Sequence, residues 1–182
     1  MTRVVGGLAR GRRLATPAGR RTRPTSDRAR EGLFDTLQSL LELAGARVLD
    51  LYAGSGAVGL EALSRGASHA LLVDSDPPAV RVLRANAAAL GLEGAQVRAA
   101  PVERVLAAAP SVPYDLAFLD PPYEVPVEGA LAALVAHRWL RAGAVCVVER
   151  SSRGPGPHWP PGITPVRARR YGEATLWYGL RS

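Results

Sequence analysis

The chain contains no lysine, and all 23 of its basic side chains are arginine. Ala, Gly, Pro and Arg are abundant together, so the choice of Arg over Lys follows genome base composition. That does not account for the excess of positive charge. A lone cysteine excludes an internal disulfide framework. Cys146 lies in the apolar run 144–148 and is expected to be a buried, inert thiol. Three histidines, His69, His137 and His158, are scattered without ligand spacing, so no metal site is predicted. No apolar run approaches the length of a membrane span, and residues 1–13 are basic but lack the apolar core of a signal peptide. These absences exclude a membrane-spanning protein and a disulfide-stapled secreted domain, and predict a cytoplasmic location.

What is present predicts a packed globule. Of 182 residues, 47% are hydrophobic, enough for one full core. The net charge of +7 favours a polyanionic partner such as nucleic acid. Residues 1–25 are rich in Arg and Gly and read as a basic hairpin or arm, with Val4, Val5 and Leu14 around the Gly6 to Gly11 turn. Residues 26–182 read as the main domain, opening with a helix over 26–43 capped by Ser26 or Asp27. Leu33, Phe34, Leu37, Leu40 and Leu41 share one face of that helix and are expected to be core.

From Arg47 onward, short apolar strands alternate with helices. Strands are predicted at 48–51, 70–73, 96–98, 116–119 and 144–148, and helices at 56–64, 78–90, 102–108 and 127–139. Repeated strand–helix units give a parallel sheet covered on both faces. Residues 154–162 are too rich in Pro and Gly for regular structure. Strands at 166–170 and 175–180 flank Tyr171-Gly172-Glu173 and predict a closing antiparallel hairpin. The expected fold is therefore α/β, a mostly parallel seven-stranded sheet ending in an antiparallel hairpin, with a small N-terminal hairpin added.

Two segments carry chemistry. Asp50-Leu51-Tyr52-Ala53-Gly54-Ser55-Gly56 falls where the first parallel strand gives way to its helix, at the crevice where open sheets bind ligands. Gly54 and Gly56 permit a tight turn and close backbone approach. The spacing GxGxxG, completed by Gly59, suits a dinucleotide as well. Asp74 ends the next strand about twenty residues on, where an acid can hold a ribose diol. Asp50 favours a cationic ligand and repels a pyrophosphate. That selects S-adenosylmethionine, with its sulfonium and ammonium, over NAD. The plainer structural alternative is a helix-capping Asp50 beside packing glycines.

Asp120-Pro121-Pro122-Tyr123 follows the strand at 116–119. Two prolines fix the backbone and remove two N–H donors, leaving a site dominated by acceptors. An exocyclic base amine is a poor nucleophile because its lone pair is delocalised into the ring. Acceptors on its N–H groups, here Asp120 and the Pro121 carbonyl, direct that lone pair outward and stabilise the developing positive charge. Tyr123 offers a face for base stacking, and the base must leave its stack to reach the cleft. The plainer alternative is a Pro-rich strand-to-loop turn. Together the two segments predict methylation of an exocyclic amine of a nucleic-acid base, with S-adenosyl-L-homocysteine as the spent donor.

The sequence resembles the RsmD family of bacterial small-subunit rRNA guanine-N2 methyltransferases. Arg3-Val4-Val5-Gly6-Gly7 with Arg10-Gly11-Arg12-Arg13-Leu14 is similar to the family's N-terminal signature. The stretch from Arg23 to Phe34 resembles its second block, residues 50–63 its cofactor motif, and Asp120–Tyr123 its catalytic motif. The resemblance implies a Rossmann-like class I methyltransferase fold. It implies N2 methylation of guanine 966 of 16S rRNA in the 30S subunit or its precursor, with ribosomal proteins as further partners. Catalytic residues would be Asp120, Pro121, Pro122 and Tyr123. Cofactor contacts would come from Asp50, Tyr52, Ala53, Gly54, Ser55, Gly56, Asp74, Ser75 and Val102. The third cofactor motif departs from the family pattern: Pro101 stands at the usual polar position, which leaves the backbone at Val102, or Glu103, to meet the adenine. Arg10, Arg12, Arg13, Arg20, Arg21 and Arg23 form a basic cluster expected to contact RNA phosphates, with Gly6, Gly7 and Gly11 letting the arm adapt on binding. A monomer is expected. Another nucleic-acid amino-methyltransferase (acting on adenine N6 or another RNA guanine), a non-catalytic RNA-binding module and an NAD oxidoreductase are the competing readings.

Overall fold

The computed structural model describes residues 2–19 and 25–182. A two-stranded hairpin comes first, β1 (Thr2–Arg3) with β2 (Arg13–Leu14), followed by α1 (Asp27–Gln38). Then strands and helices alternate: β3 (Arg47–Leu51), α2 (Ala57–Ser64), β4 (His69–Asp74), α3 (Pro77–Leu90), β5 (Ala95–Ala99), α4 (Val102–Leu106), β6 (Tyr114–Leu119) and α5 (Glu128–Ala136). The chain closes with β7 (Leu140–Ser151), β8 (Ile163–Tyr171) and β9 (Ala174–Arg181). The seven-stranded sheet has the order β5-β4-β3-β6-β7-β9-β8, parallel through β7 and antiparallel at β9 and β8. This is the expected α/β architecture.

Side-chain alternation explains the two-sided core. Val48, Leu116, Phe118, Val145 and Val147 point to one face, where Leu33, Phe34 and Leu37 of α1 meet Leu60 of α2 and Leu83 of α3. Leu49, Leu51, Ala117, Leu119, Cys146 and Val148 point to the other, against Val105 and Leu106 of α4 and Leu131 and Leu134 of α5. A period of two along every strand thus serves two helical layers. The Cys146 thiol is fully buried, and burial pushes its pKa well up.

Boundaries shifted where side chains intervened. The helix expected over 26–43 starts at its Ser26 cap, whose hydroxyl accepts from Ala29 N (3.1 Å), but stops at Gln38. Ser39 ends it by donating its hydroxyl back to the Thr36 carbonyl (2.7 Å). The strand expected over 144–148 is twelve residues long and carries Glu149, Arg150 and Ser151 beyond its apolar run, paired with β9.

The N-terminal hairpin is tied into the core. Val4, Ala9 and Leu14 are buried in the same cluster as α1 and α2. Fully buried Glu61 of α2 accepts from the backbone N–H groups of Val5 (2.8 Å) and Gly6 (2.7 Å), and fully buried Arg30 reaches Glu61 at 3.2 Å. The expected role of Gly6 and Gly7 in adaptability is thereby corrected, because both are close-packing positions. A Cβ at Gly7 would lie 1.9 Å from the Ser64 carbonyl oxygen, at a φ of +78°. Gly7→Ala should therefore cost about 2 kcal/mol or more in urea unfolding. Unchanged stability would show that the hairpin does not dock as described.

Candidate active site

The order β4-β3-β6-β7 places a topological switch between β3 and β6, the place where open α/β sheets form a crevice beyond their strand ends. The glycine turn leaves β3 and the Asp-Pro-Pro-Tyr segment leaves β6. These strands pair directly, Leu51 opposite Leu119, and the Asp120 N–H points at the Leu51 carbonyl at 3.5 Å. The two chemical segments are thus adjacent from their first residues.

Within the glycine turn the predicted residues do different jobs. Asp50 is 2% exposed, and its Oδ2 accepts from the Gly59 N–H in the first turn of α2 (2.9 Å). That bond satisfies one N–H of the first turn of α2, whose N-cap position is Gly56. Gly56 and Gly59 are packing glycines: a Cβ on Gly56 would strike Leu83 at 2.4 Å, and one on Gly59 would strike Leu72 at 2.7 Å. Gly54, at φ +59°, donates its N–H to Asp74 Oδ2 (2.8 Å), while Asp74 Oδ1 accepts from Asp76 N (2.9 Å). Asp74 consequently joins the β4 tip to the turn. Ala53 is half-buried, Ser55 buried and Ser75 exposed.

Tyr52 adopts φ +62°, which a bulky residue rarely does, and its ring packs on the second core cluster. Burial and nearby Glu103 push its hydroxyl up to about 12, against the pull of Arg150. Its contribution to the crevice is the backbone turn. Val102, the first residue of α4, is buried in the same cluster.

The donor set fits S-adenosylmethionine. Buried carboxylates at the β3 and β4 tips suit cationic and hydroxyl groups, and no basic side chain caps α2. Asp74→Asn should weaken donor binding about tenfold by calorimetry, since one acceptor at the β4 tip is exchanged for an amide. Unaltered affinity would remove Asp74 from the cofactor contacts.

Beyond the β6 tip opens a cleft of about 1280 Å³, lined by Asp120, Pro121, Pro122 and Tyr123 and reaching Asp76, the α1 start and the β8–β9 turn. Asp120 is half-buried, Pro121 buried and Pro122 exposed. Tyr123 is 68% exposed, available for stacking. The loop is braced: Val125 N donates to Pro122 O (2.9 Å), and Arg150 Nη2 donates to Val125 O (2.7 Å).

The sequence reading missed several groups here. Glu149 and Arg150 line the cleft from β7, Arg28 from α1, and Arg170 and Tyr171 from β8. Glu149 had a signal: it directly follows an apolar strand, as Asp74 and Asp120 do. Asn86 of α3 had none. Its amide donates to Ser55 O (2.9 Å) and to Ala15 O (2.9 Å) and accepts from Ala15 N (2.9 Å), so it fastens the glycine turn to the segment after the hairpin.

Of the predicted phosphate contacts, Arg10, Arg12 and Arg13 are exposed on the hairpin. Arg12 Nη2 donates to the Ala89 carbonyl near the end of α3 (2.7 Å), an engagement that competes with phosphate. Arg20, Arg21 and Arg23 lie outside the described residues. Among the described residues, no group of three or more His, Cys, Asp or Glu side chains is placed to hold a metal, and no helix is long and apolar enough to cross a membrane.

Comparison with known proteins places this geometry. Residues 2–179 match the family described as conserved hypothetical protein 95. YlbH of Bacillus subtilis is 36% identical over 174 residues, covering 93% of this chain and 94% of that protein. Ribosomal RNA small subunit methyltransferase D of Escherichia coli is 38% identical over 148 residues, covering 81% of this chain and 73% of that protein. The solved structure of yhhF from Escherichia coli superposes with a TM-score of 0.88 at 34% identity, covering 100% of this chain and 98% of that one. The chain belongs to the RsmD family of methyltransferases, and S-adenosylmethionine is its expected cofactor.

Proposed function

We propose that the chain methylates the exocyclic N2 amine of a guanine in 16S rRNA, presented by the small ribosomal subunit or its precursor. The observation that carries this reading is the pairing of the β3 and β6 tips, which sets the glycine turn beside Asp120. The relative named as a ribosomal RNA small subunit methyltransferase supports the class of substrate. When bound, S-adenosylmethionine supplies a methyl group on a positively charged sulfur and is released as S-adenosyl-L-homocysteine. Asp50, Gly54 and Asp74 would hold it at the glycine turn. Asp120 and the Pro121 carbonyl accept from the two amine hydrogens of guanine. This aims the nitrogen lone pair along the axis of attack and holds the charge that grows as the N–C bond forms. One amine proton then passes to the Asp120 carboxylate and on to solvent, and the product keeps a single N–H. Tyr123 stacks on the extruded base.

Transfer of a radiolabelled methyl group to purified small subunits, free 16S rRNA and duplex DNA tests the proposal, with the modified base then mapped. Labelled guanine N2 in rRNA is the expected product. Labelled adenine N6, or label in DNA, would replace it with another amino-methyltransferase reading. Binding of subunits without any transfer would leave a non-catalytic module.

The exposed arginines of the hairpin would lie on phosphates. Replacing Arg10 and Arg13 with Ala should weaken RNA binding and lower the slope of log affinity against log salt by about 1 to 2. An unchanged slope would move the RNA path away from the hairpin, toward Arg28 and Arg170 at the cleft.

A further inference from the structure

We infer that Glu149 is the residue that selects guanine, its carboxylate accepting from the N1–H of the target base while Asp120 and Pro121 take the N2 amine. This rests on the guanine-N2 reading above and adds the group that recognises the rest of the base edge. Phe118 of β6 pairs with Val147 of β7, and both face the first core layer. Glu149 lies two residues further along β7, and Asp120 directly follows β6, two residues beyond Phe118, on neighbouring strands about 4.8 Å apart. Both line the cleft.

Glu149 is 8% exposed, an unusual degree of burial for a carboxylate. Thr25, itself buried, donates its hydroxyl to Glu149 Oε2 at 2.6 Å, which fixes the plane of the carboxyl group. No described residue donates to Oε1. A buried carboxylate is costly unless donors satisfy it, and among the described residues its donor is the Thr25 hydroxyl. Burial accordingly pushes its pKa up, against the pull of the Thr25 hydroxyl. The Watson–Crick edge of guanine presents two adjacent donors, N1–H and the N2 amine, and two neighbouring acceptor groups match them. Adenine presents a lone pair at N1, which a carboxylate repels. Among the described residues, the other charged side chains lining the cleft are Arg28, Asp76, Glu124, Arg150, Arg170 and Glu173. The Arg150 guanidinium is engaged with the Val125 carbonyl.

The test compares small subunits carrying guanine or 2-aminopurine at the modified position. 2-Aminopurine keeps the N2 amine but has an acceptor at N1. Wild-type enzyme should prefer guanine in kcat/KM. In Glu149→Gln, whose amide can donate to N1 of 2-aminopurine, the ratio should fall about 10- to 100-fold. Reading the change in ratio between the two enzymes cancels the effect of the missing O6. Affinity for S-adenosyl-L-homocysteine should stay within about twofold, which separates base selection from a general loss of structure. Thr25→Val, which removes only the orienting bond, should lower the ratio in the same direction, and it serves as the deciding variant should Glu149→Gln not fold. A ratio unchanged in a folded variant overturns the role of Glu149 and leaves guanine methylation standing. A wild-type enzyme that methylates no guanine overturns the underlying activity, and this inference with it.

Discussion

Asp120→Ala should lower kcat for methyl transfer by about 10²- to 10³-fold while affinity for S-adenosyl-L-homocysteine stays within about twofold. The magnitude follows from removing one preorganised electrostatic partner from the place where charge develops. The separation of the two effects follows from position. Asp120 sits at the tip of β6 and lines the cleft, whereas the acids predicted to meet the donor, Asp50 and Asp74, sit at the tips of β3 and β4. Asp120→Asn should retain more activity than Ala, because the amide oxygen still accepts one N–H. Its NH₂ group, turned toward the amine, would oppose it. Single-turnover kinetics with saturating RNA and donor gives the chemical step directly. A variant with full turnover would show that the Pro121 carbonyl or another acceptor holds the amine without the carboxylate. A variant that loses donor binding and turnover together would make Asp120 part of the donor pocket.

The architecture was legible because β3, β4, β6 and the apolar part of β7 are short, nearly continuous apolar runs with an acid at or beside the end, whereas β5 alternates and is largely exposed. Val48, Leu49, Ala117, Phe118, Val145 and Cys146 are buried from both faces, and such strands read clearly in one dimension. Asp74 and Asp120 could be found from the sequence because a strand tip is also a sequence boundary. Glu149 satisfied the same rule but was hidden in a strand that ran on past its apolar stretch. Its significance comes from the Thr25 hydroxyl, which lies 124 residues earlier. Asn86 carries no local signal at all. It is a polar residue on a helix until Ala15 and Ser55 arrive from two other parts of the chain. The same holds for Gly6 and Gly7, whose surroundings in sequence read as a pliable turn while their surroundings in space are Arg65 and Ser64. Periodicity and strand ends can be read from the chain alone, whereas packing distances between remote segments cannot.

Arg30→Met should destabilise the protein by about 3 to 5 kcal/mol in urea unfolding, the cost of removing one member of a buried ionic network. Arg30 and Glu61 are both fully buried and meet at 3.2 Å. The Arg30 guanidinium also donates to the Arg3 carbonyl, to Thr2 Oγ1 (3.3 Å) and to Asp27 Oδ1 (3.0 Å), so one side chain joins β1, the start of α1 and α2. Glu61 in turn accepts from Val5 N, Gly6 N and Arg65 Nε (2.9 Å). Removing Arg30 strands Glu61 with fewer donors, and removing Glu61 strands both Arg30 and two backbone N–H groups of the hairpin. Glu61→Leu should therefore cost at least as much as Arg30→Met, and release of the hairpin should appear as new proteolytic cleavage before Leu14. The double variant should cost less than the sum of the singles, because neither member of the buried Arg30–Glu61 pair is left facing the gap of the other. Strict additivity, with each single change below about 1 kcal/mol, would mean that the hairpin is held by Val4, Ala9 and Leu14 alone. The exposed arginines it carries would then be presented to RNA by apolar packing without any contribution from the buried pair.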